Sequence, residues 1–271
     1  MSYNLLKGKR GIITGALNES SIAWFVAERA VEEGAEIVLT NAPISLRMGK
    51  INELAEKLNT IVIPADATST DDIENLYTKA SEHFGGEKID FILHSIGMSP
   101  NVRKGREYND LNYDFFQKSI DISALSFHKM MQVADKMDVL NEGASIVGLS
   151  YIAAQRAYPD YGDMSQAKAV LESIARSFGQ KLGEKKGVRV NTISQSPTVT
   201  TAGQGITGFD VFVDFADMLS PLGNASALEC ADYVITLFSD LTRKVTMQNL
   251  FHDGGFSTAG ISHAMVDRLS K

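Results

Sequence analysis

One cysteine, Cys230, stands in a chain of 271 residues. A single thiol excludes an intrachain disulfide framework and any metal site built from several cysteines. It falls within a helical pattern and reads as a small core residue. Basic runs are absent and the net charge is −7. That balance argues against a general nucleic-acid binder, although a local basic patch can still meet an acidic partner. No apolar run approaches the roughly 18 residues of a membrane span. The first ten residues, Met-Ser-Tyr-Asn-Leu-Leu-Lys-Gly-Lys-Arg, lack the long apolar core of a signal peptide. The expectation is a cytoplasmic protein that engages neither membrane nor nucleic acid. No repeat or low-complexity linker divides the chain. What remains is a soluble globular composition, 44% hydrophobic and 22% charged, long enough for one large domain or two small ones.

Apolar runs alternate with helical spacing. Arg10–Thr14 reads as a first strand, ended by Gly15. Ser20–Glu33 has helical spacing, with Ile22, Val26 and Ala30 on one side, Ser20 or Ser21 as cap and Gly34 as stop. Further strands are expected at Glu36–Thr40, Thr60–Pro64, Ile89–His94, Ala144–Leu149, Val188–Ile193 and in the strand and turn Asn249–Gly255. Helices are expected over Asp71–Phe84, over Tyr113–Met137, from near Tyr161 through Leu182, and after the capping-box pattern Ser226-Ala-Leu-Glu229. This rhythm predicts a single α/β domain, doubly wound and Rossmann-like, with a seven-stranded parallel sheet flanked by helices.

The first strand, turn, helix and second strand match the dinucleotide-binding half of such a fold, with pyrophosphate at the helix N-terminus. The turn lacks Gly-x-Gly-x-x-Gly: Gly15 is followed by Ala-Leu-Asn-Glu-Ser and then Ser21-Ile22-Ala23. A cofactor loop and a plain turn stay equally open. The acidic residue that usually binds the adenine ribose is also missing after the second strand, where Asn41-Ala42 stand. Arg47 can meet a 2′-phosphate or be a solvated helix residue, the second being favoured. Asp66 can accept from an adenine amino group or simply cap the turn before Thr70. Ser95-Ile96-Gly97 ends a strand in small, flexible residues that let the backbone approach a flat ring or a ribose. His94 can be catalytic, but a histidine at a strand end is more often structural. Arg103, Lys104 and Arg106 sit in a polar stretch over 101–112, either a loop at a site mouth or a solvated one.

The segment 194–222 is long for a connection in a compact domain and suits a lid or binding loop at about 195–222. Thr198, Thr200 and Thr201 offer hydroxyls and N–H groups for a pyrophosphate or carboxamide. Ile206, Phe209, Val211, Phe212 and Phe215 can cover an acyl chain or dock a short helix on the core; sequence does not separate these.

The stretch Tyr151–Lys168 is the centre of the chain's chemistry. It follows an apolar strand and leads into a helical pattern. Tyr161 and Lys168 are seven apart, which on one helix sets them two turns apart on nearly one face. An ammonium lowers the cost of a phenolate, and a phenol can donate to an oxygen gaining charge. Tyr151, at the strand end, can aim a second hydroxyl into the same space. An isolated pair of this kind is more often a surface tyrosine and a solvated lysine.

Nearly the whole chain resembles the short-chain dehydrogenase/reductase superfamily, and within it the bacterial enoyl-acyl carrier protein reductases of type II fatty acid synthesis. The marker is the spacing. Ordinary members carry Tyr-x3-Lys, but Met164 lies four before Lys168 here. Tyr-x6-Lys from Tyr161, with Tyr151 ten residues earlier, is the enoyl reductase pattern. Gly15-x5-Ser21-Ile22-Ala23, His94-Ser95-Ile96-Gly97, Arg189-Val-Asn191 and Asp253-Gly-Gly-Phe-Ser257 add to the match. Trp24-Phe25, Ala42 and Gln195-Ser196-Pro197 depart from the family's usual residues.

The resemblance implies reduction of a carbon–carbon double bond conjugated to a thioester. It implies Tyr151, Tyr161 and Lys168 as catalytic residues. Around the cofactor it places Gly15, Ser21, Ile22, Ala42, Asp66, Ala67, Ser95, Ile96, Gly97, Lys168 and the stretch Thr198, Val199, Thr200, Thr201 and Ala202. Around the substrate it places Met98, Ser99, Tyr151, Tyr161, Ile206, Phe209 and Phe212. NADH is the implied cofactor, with NADPH not excluded. An enoyl thioester on acyl carrier protein is the implied substrate, and a homotetramer the implied assembly. Two other readings compete: a carbonyl reductase or alcohol dehydrogenase on the same fold, against which the lack of Tyr at 164 counts, and a non-catalytic nucleotide-binding protein, against which the retained Tyr151, Tyr161 and Lys168 count.

Overall fold

Strands of a parallel sheet covered on both faces are rich in apolar residues, and the central runs Ile12–Ile13, Ile37–Leu39, Phe91–Leu93 and Ile146–Val147 follow this, whereas β5 buries Arg189, Asn191, Thr192, Ser194 and Gln195 as well. The computed structural model describes residues 2–200 and 209–270. Strands β1 (Arg10–Thr14), β2 (Glu36–Thr40), β3 (Ile89–His94), β4 (Leu140–Ser150), β5 (Arg189–Gln195) and β6 (Asn249–His252) form one sheet in the order β2-β1-β3-β4-β5-β6. Every neighbouring pair is parallel. Every residue of β5 is buried.

Alternate residues of each strand point into two separate cores. Ile12, Val38, Ile92, Ile146 and Val190 enter the first. Helices α4 (Thr70–His83), α7 (Ser126–Lys136) and α8 (Met164–Lys186) close it with Tyr77, Phe127 and Leu171. Ile13, Leu39, Leu93, Val147 and Ile193 enter the second. There α1 (Ile22–Glu32) and α10 (Ala227–Phe238) cover the sheet with Trp24, Val26, Val234 and Phe238. The chain is therefore doubly wound. The crevice at the carboxyl ends of β1 and β3, where the winding reverses, is the place such a fold offers a ligand.

The sheet has six strands rather than the expected seven. Residues 60–64 run beside β2 but make one bridge, Leu39 to Val62. The backbone bonds Leu39 N to Ile61 O, Ile63 N to Leu39 O and Ala65 N to Asn41 O hold them there. Beyond β2 the side chain of Asn41 donates to Ala16 O and accepts from Ala42 N. Pro64, with no N–H to offer, is tolerated at such an edge.

Two helix expectations also change. The stretch from Tyr113 is one helical rod in three parts: α6 (Tyr113–Ile120), a π turn (Asp121–Leu125) and α7. Further, α8 begins at Met164 and not near Tyr161. Asp160 and Gly162 have φ of +59° and +48°, in the left-handed region that no helix continues through. Tyr161 is thus held in a tight turn before the helix, and the same-face spacing with Lys168 does not describe it. Among the described residues the remaining α-helices are α2 (Pro43–Leu46), α3 (Ile51–Lys57), α5 (Pro100–Arg103), α9 (Phe209–Leu219) and α11 (His263–Leu269). No helix among the described residues is long and apolar enough to cross a membrane. Cys230 is fully buried in α10, as its helical setting predicts.

Candidate active site

The loops after β1, β3, β4 and β5 meet at one end of the sheet. Gly15 turns the chain out of β1 with φ +85°. A Cβ there would lie 1.9 Å from Ser95 O, so only glycine lets the β1 and β3 loops touch. Ser95 N donates to Thr14 Oγ1 at 3.1 Å and locks the two loops together. Ser21 is the N-cap residue of α1, yet its side chain makes no cap bond. Its hydroxyl folds back and accepts from Leu17 N (3.1 Å) and Asn18 N (3.2 Å). The Ser21 side chain therefore does not cap the first turn of α1, a helix start that suits an anion.

Beside this turn lies a cavity of about 340 Å³, lined by Glu19, Ser20, Phe25, Thr198, Val199 and Asn224 among others. It joins the loop after β1 to the loop after β5. Thr198 and Thr200 are half-buried and Val199 is exposed. Thr201, Ala202 and Ile206 lie outside the described residues.

At the adenosine end, Ala42 precedes the short α2 and Arg47 is exposed. Asp66 is exposed, and its Oδ1 accepts from Thr68 N (2.9 Å) and Thr68 Oγ1 (2.8 Å). That is the turn role anticipated as its alternative. Ala67 packs against the first core.

Lys168 is the buried charge of the site, 8% exposed. Its Nζ donates to Leu149 O at 2.7 Å, anchoring the ammonium at the end of β4. Burial pushes its pKa down to about 8, against the attraction of Glu172 one turn on. Glu172 is buried too, and accepts from Ser150 Oγ at 2.6 Å and Gln155 Nε2 at 3.1 Å. Gly97 is exposed, and a Cβ on it would stand 3.7 Å from Lys168 Nζ and 3.5 Å from Met164 Cε. The small residue leaves the approach to the ammonium open. With one acceptor engaged, the ammonium keeps two protons for a ligand. This donor set fits the vicinal hydroxyls of a ribose.

The tyrosines converge. The rings of Tyr151 and Tyr161 are 5.2 Å apart, and those of Tyr151 and Tyr158 5.4 Å. Tyr161 is buried with Val102, Ala153 and Met164. Burial raises the Tyr161 pKa, so the phenol stays a proton donor. Tyr151 is raised by burial and then by the neighbouring phenols of Tyr158 and Tyr161. Tyr158 carries the cluster on to Phe212, 5.4 Å away on α9. Phe212 lines a second, apolar cavity of about 470 Å³ with Ile152, Arg156, Val211, Phe215 and Phe256. Phe209, at the start of α9, is buried.

His94 takes the structural role favoured for it, and Ser99 faces away from the place expected. His94 is buried, with Nε2 2.7 Å from Ser126 Oγ and its ring against Phe127. Burial, then the Lys168 charge, pushes its pKa down to about 3, so it is a neutral structural imidazole. Ser99 is 3% exposed, and its hydroxyl donates to Asp163 Oδ1 at 2.5 Å while accepting from Val102 N. That hydroxyl faces the protein interior and not an acyl pocket. Met98, next to it, is half-buried and is pinned to the π turn through Ser123 Oγ at N (3.0 Å) and O (3.1 Å).

Sequence reasoning missed Tyr158, Glu172 and Asp163. Tyr158 stands seven residues after Tyr151, a spacing that could have flagged it. The other two are marked only by their partners, which lie far off along the chain.

A family model described as "Enoyl-(Acyl carrier protein) reductase" matches residues 15–257. The chain belongs to the enoyl-(acyl carrier protein) reductase family. It is 35% identical over 259 residues to "Enoyl-[acyl-carrier-protein] reductase [NADH] 1" of Rhizobium meliloti (strain 1021), covering 95% of this chain and 93% of that protein. Among solved structures, the FabI-NADH complex from Alistipes finegoldii is similar at 68% identity and a TM-score of 0.95, over 97% of this chain and 92% of that one. The enoyl-[acyl-carrier-protein] reductase (NADH) from Aquifex aeolicus VF5 is similar at 31% identity and a TM-score of 0.87, over 95% and 99%.

Proposed function

We propose that the chain reduces the carbon–carbon double bond of a trans-2-enoyl thioester carried on acyl carrier protein, with NADH as the donor, the last step of the fatty acid elongation cycle. The observation that carries this is the convergence of Tyr151 and Tyr161, 5.2 Å apart, with buried Lys168 bonded to Leu149 O two residues before Tyr151, and Met164 in the place of a tyrosine. Family membership and the names of the relatives support it.

Gly15, Ser21, Ile22 and the stretch Thr198–Ala202 would hold the pyrophosphate and carboxamide. Ser95, Ile96, Gly97 and Lys168 would hold the nicotinamide ribose, and Ala42, Asp66 and Ala67 the adenosine. The bound cofactor supplies a hydride to the β-carbon of the substrate. The displaced π electrons move through the α-carbon to the thioester oxygen, giving an enolate that a proton at the α-carbon then quenches. The Tyr161 phenol donates to that oxygen as its charge grows, an oxyanion-type stabilisation. Its raised pKa keeps the donor proton in place through physiological pH. Lys168 holds the ribose and keeps the site positive. Tyr151 orients the thioester from the end of β4. Met98, Ile206, Phe209 and Phe212 would line the acyl tail, and 195–222 would act as a lid over it. A cytoplasmic homotetramer is the assembly we assign.

The test is oxidation of NADH and NADPH, followed by absorbance, with crotonyl and longer enoyl thioesters. Wild type is run beside Tyr161→Phe and Lys168→Ala. Turnover that collapses in both variants is expected, with NADH the faster donor. Reduction of ketones without turnover of enoyl thioesters would move the chain to the carbonyl-reducing branch.

A further inference from the structure

We propose that Asp163 is a positioning residue for Tyr161 and for the loop that faces it. The inference rests on the assignment of Tyr161 as the donor to the thioester oxygen.

A carboxylate with no exposure must be fully hydrogen-bonded to be tolerated. Asp163 has none, and among the described residues no lysine or arginine pairs with it. Neutral donors satisfy it instead. Ser99 Oγ donates to Oδ1 at 2.5 Å. Asn101 Nδ2 donates to Oδ2 at 2.7 Å. Ser119 Oγ lies 2.9 Å from Oδ2 and 2.8 Å from Phe115 O, and donates its one proton to one of them. Asn101 is itself complete: its other amide proton goes to Asn112 O (3.1 Å), and its Oδ1 accepts from Asn112 N (3.0 Å). The carboxylate thus binds the loop after β3, α5 and α6 to one point.

That point is the last residue before α8, two after Tyr161 and five before Lys168. Between Asp163 and Tyr161 stands Gly162, held at φ +48°, and before Tyr161 stands Asp160 at +59°. A non-glycine residue in that region persists only where its surroundings hold it there. The contact is close as well as polar. A Cβ on Gly162 would lie 3.3 Å from Val102 Cγ2, and Val102 packs on Tyr161 and Met164. Without the carboxylate, no hydrogen bond among the described residues ties α5 to this turn, and the Tyr161 phenol is free to shift relative to Lys168. Misplacement by about 1 Å in a catalytic constellation lowers turnover by about 100-fold.

The experiment measures kcat per NADH-binding site, KM for crotonyl thioester, NADH affinity by fluorescence and thermal unfolding, for Asp163→Ala, Asp163→Asn, Ser119→Ala and Tyr161→Phe. Asp163→Ala should lower kcat per site by about 30- to 100-fold while NADH affinity stays within about threefold. Asp163→Asn preserves the shape and can still accept on one side, so it should restore turnover to within about tenfold of wild type. Ser119→Ala removes one donor and should lower kcat about three- to tenfold. A merely structural role would lower the unfolding temperature and the number of NADH sites but leave kcat per site unchanged, and that result overturns the proposal. Where Asp163→Ala does not fold, unchanged kcat per site in Asp163→Asn and Ser119→Ala together overturns it. Full turnover in Tyr161→Phe would overturn the reading of Tyr161 and this inference with it. Collapse in Tyr161→Phe with full turnover in the Asp163 variants overturns this inference alone.

Discussion

Replacing Lys168 by methionine should stabilise the protein without its cofactor while abolishing turnover. The lysine is buried, and its ammonium has one hydrogen-bond acceptor, Leu149 O. The fall of its pKa from 10.5 to about 8 means that folding with the proton on costs about 3 kcal/mol relative to the neutral amine. That figure already contains the attraction of Glu172. Methionine has the length and flexibility to fill the same channel. It leaves Leu149 O unpaired, which costs about 1–2 kcal/mol. A net gain of about 1–2 kcal/mol remains, about 2–8 °C in Tm for a chain of this size.

The sign with pH is fixed. Between about 8 and 10.5 the native lysine has lost its proton and the unfolded one has kept it. The unfolded state binds more protons there, so wild-type stability rises with pH across that window. The advantage of Lys168→Met should be full below pH 8 and should shrink toward pH 10.5. Urea and thermal melts from pH 6.5 to 10, without NADH, read the difference; adding NADH should raise the wild-type Tm and leave the variant's unmoved. A variant less stable than wild type at pH 7, or a gap that does not change with pH, would refute the reasoning.

Gly15→Ala puts a methyl group 1.9 Å from Ser95 O at a φ of +85°; NADH fluorescence titration should show loss of binding even in protein that still folds. His94 has its pKa pushed down to about 3, so the unfolded chain takes up a proton below about 6.5 that the native one refuses. Its contribution to stability is present above that pH and lost as pH falls toward 3, and denaturant melts of His94→Phe should fall less steeply through that range than wild type. Ser226→Ala removes the α10 cap, where Ser226 Oγ accepts from Glu229 N and Glu229 Oε2 accepts from Ser226 N. It should lower stability by about 1 kcal/mol with kcat unchanged.

Most of the fold was legible because a doubly covered parallel sheet imposes a coarse pattern. Runs such as Ile12–Ile13 in β1 and Phe91–Leu93 in β3 are apolar on both faces, and α10 announces itself by its capping box. The errors fall where tertiary contacts overrule local preference. Thr60–Pro64 has the composition of a strand, but it makes only the single bridge Leu39 to Val62, and Pro64 has no N–H to extend the ladder. Tyr161 sits in what looks like helical spacing, but Asp160 takes a left-handed conformation that only the folded surroundings impose. In the site, Tyr151, Tyr161 and Lys168 were legible from their spacing against a family pattern, and Tyr158 was not. The Asp163 cluster was not, because its donors lie 64, 62 and 44 residues away, and Ser99 read as a pocket residue for the same reason.

The two buried carboxylates near Lys168 explain how the ammonium can stay available. Glu172 is four residues on, close enough to attract it. Each of its oxygens is met by a neutral donor, Ser150 Oγ and Gln155 Nε2. Asp163 is likewise satisfied by Ser99, Asn101 and Ser119. Neither carboxylate therefore needs the lysine. If one did, the buried pair would close on itself, the Lys168 pKa would rise above its ordinary value, and its protons would be lost to a ligand. Satisfying the acids with hydroxyls and amides leaves a partly uncompensated cation at the carboxyl end of β4. Such a cation is costly to fold, as the Lys168→Met comparison is designed to show, and it is suited to hold ribose hydroxyls and to stabilise negative charge that develops only during the reaction.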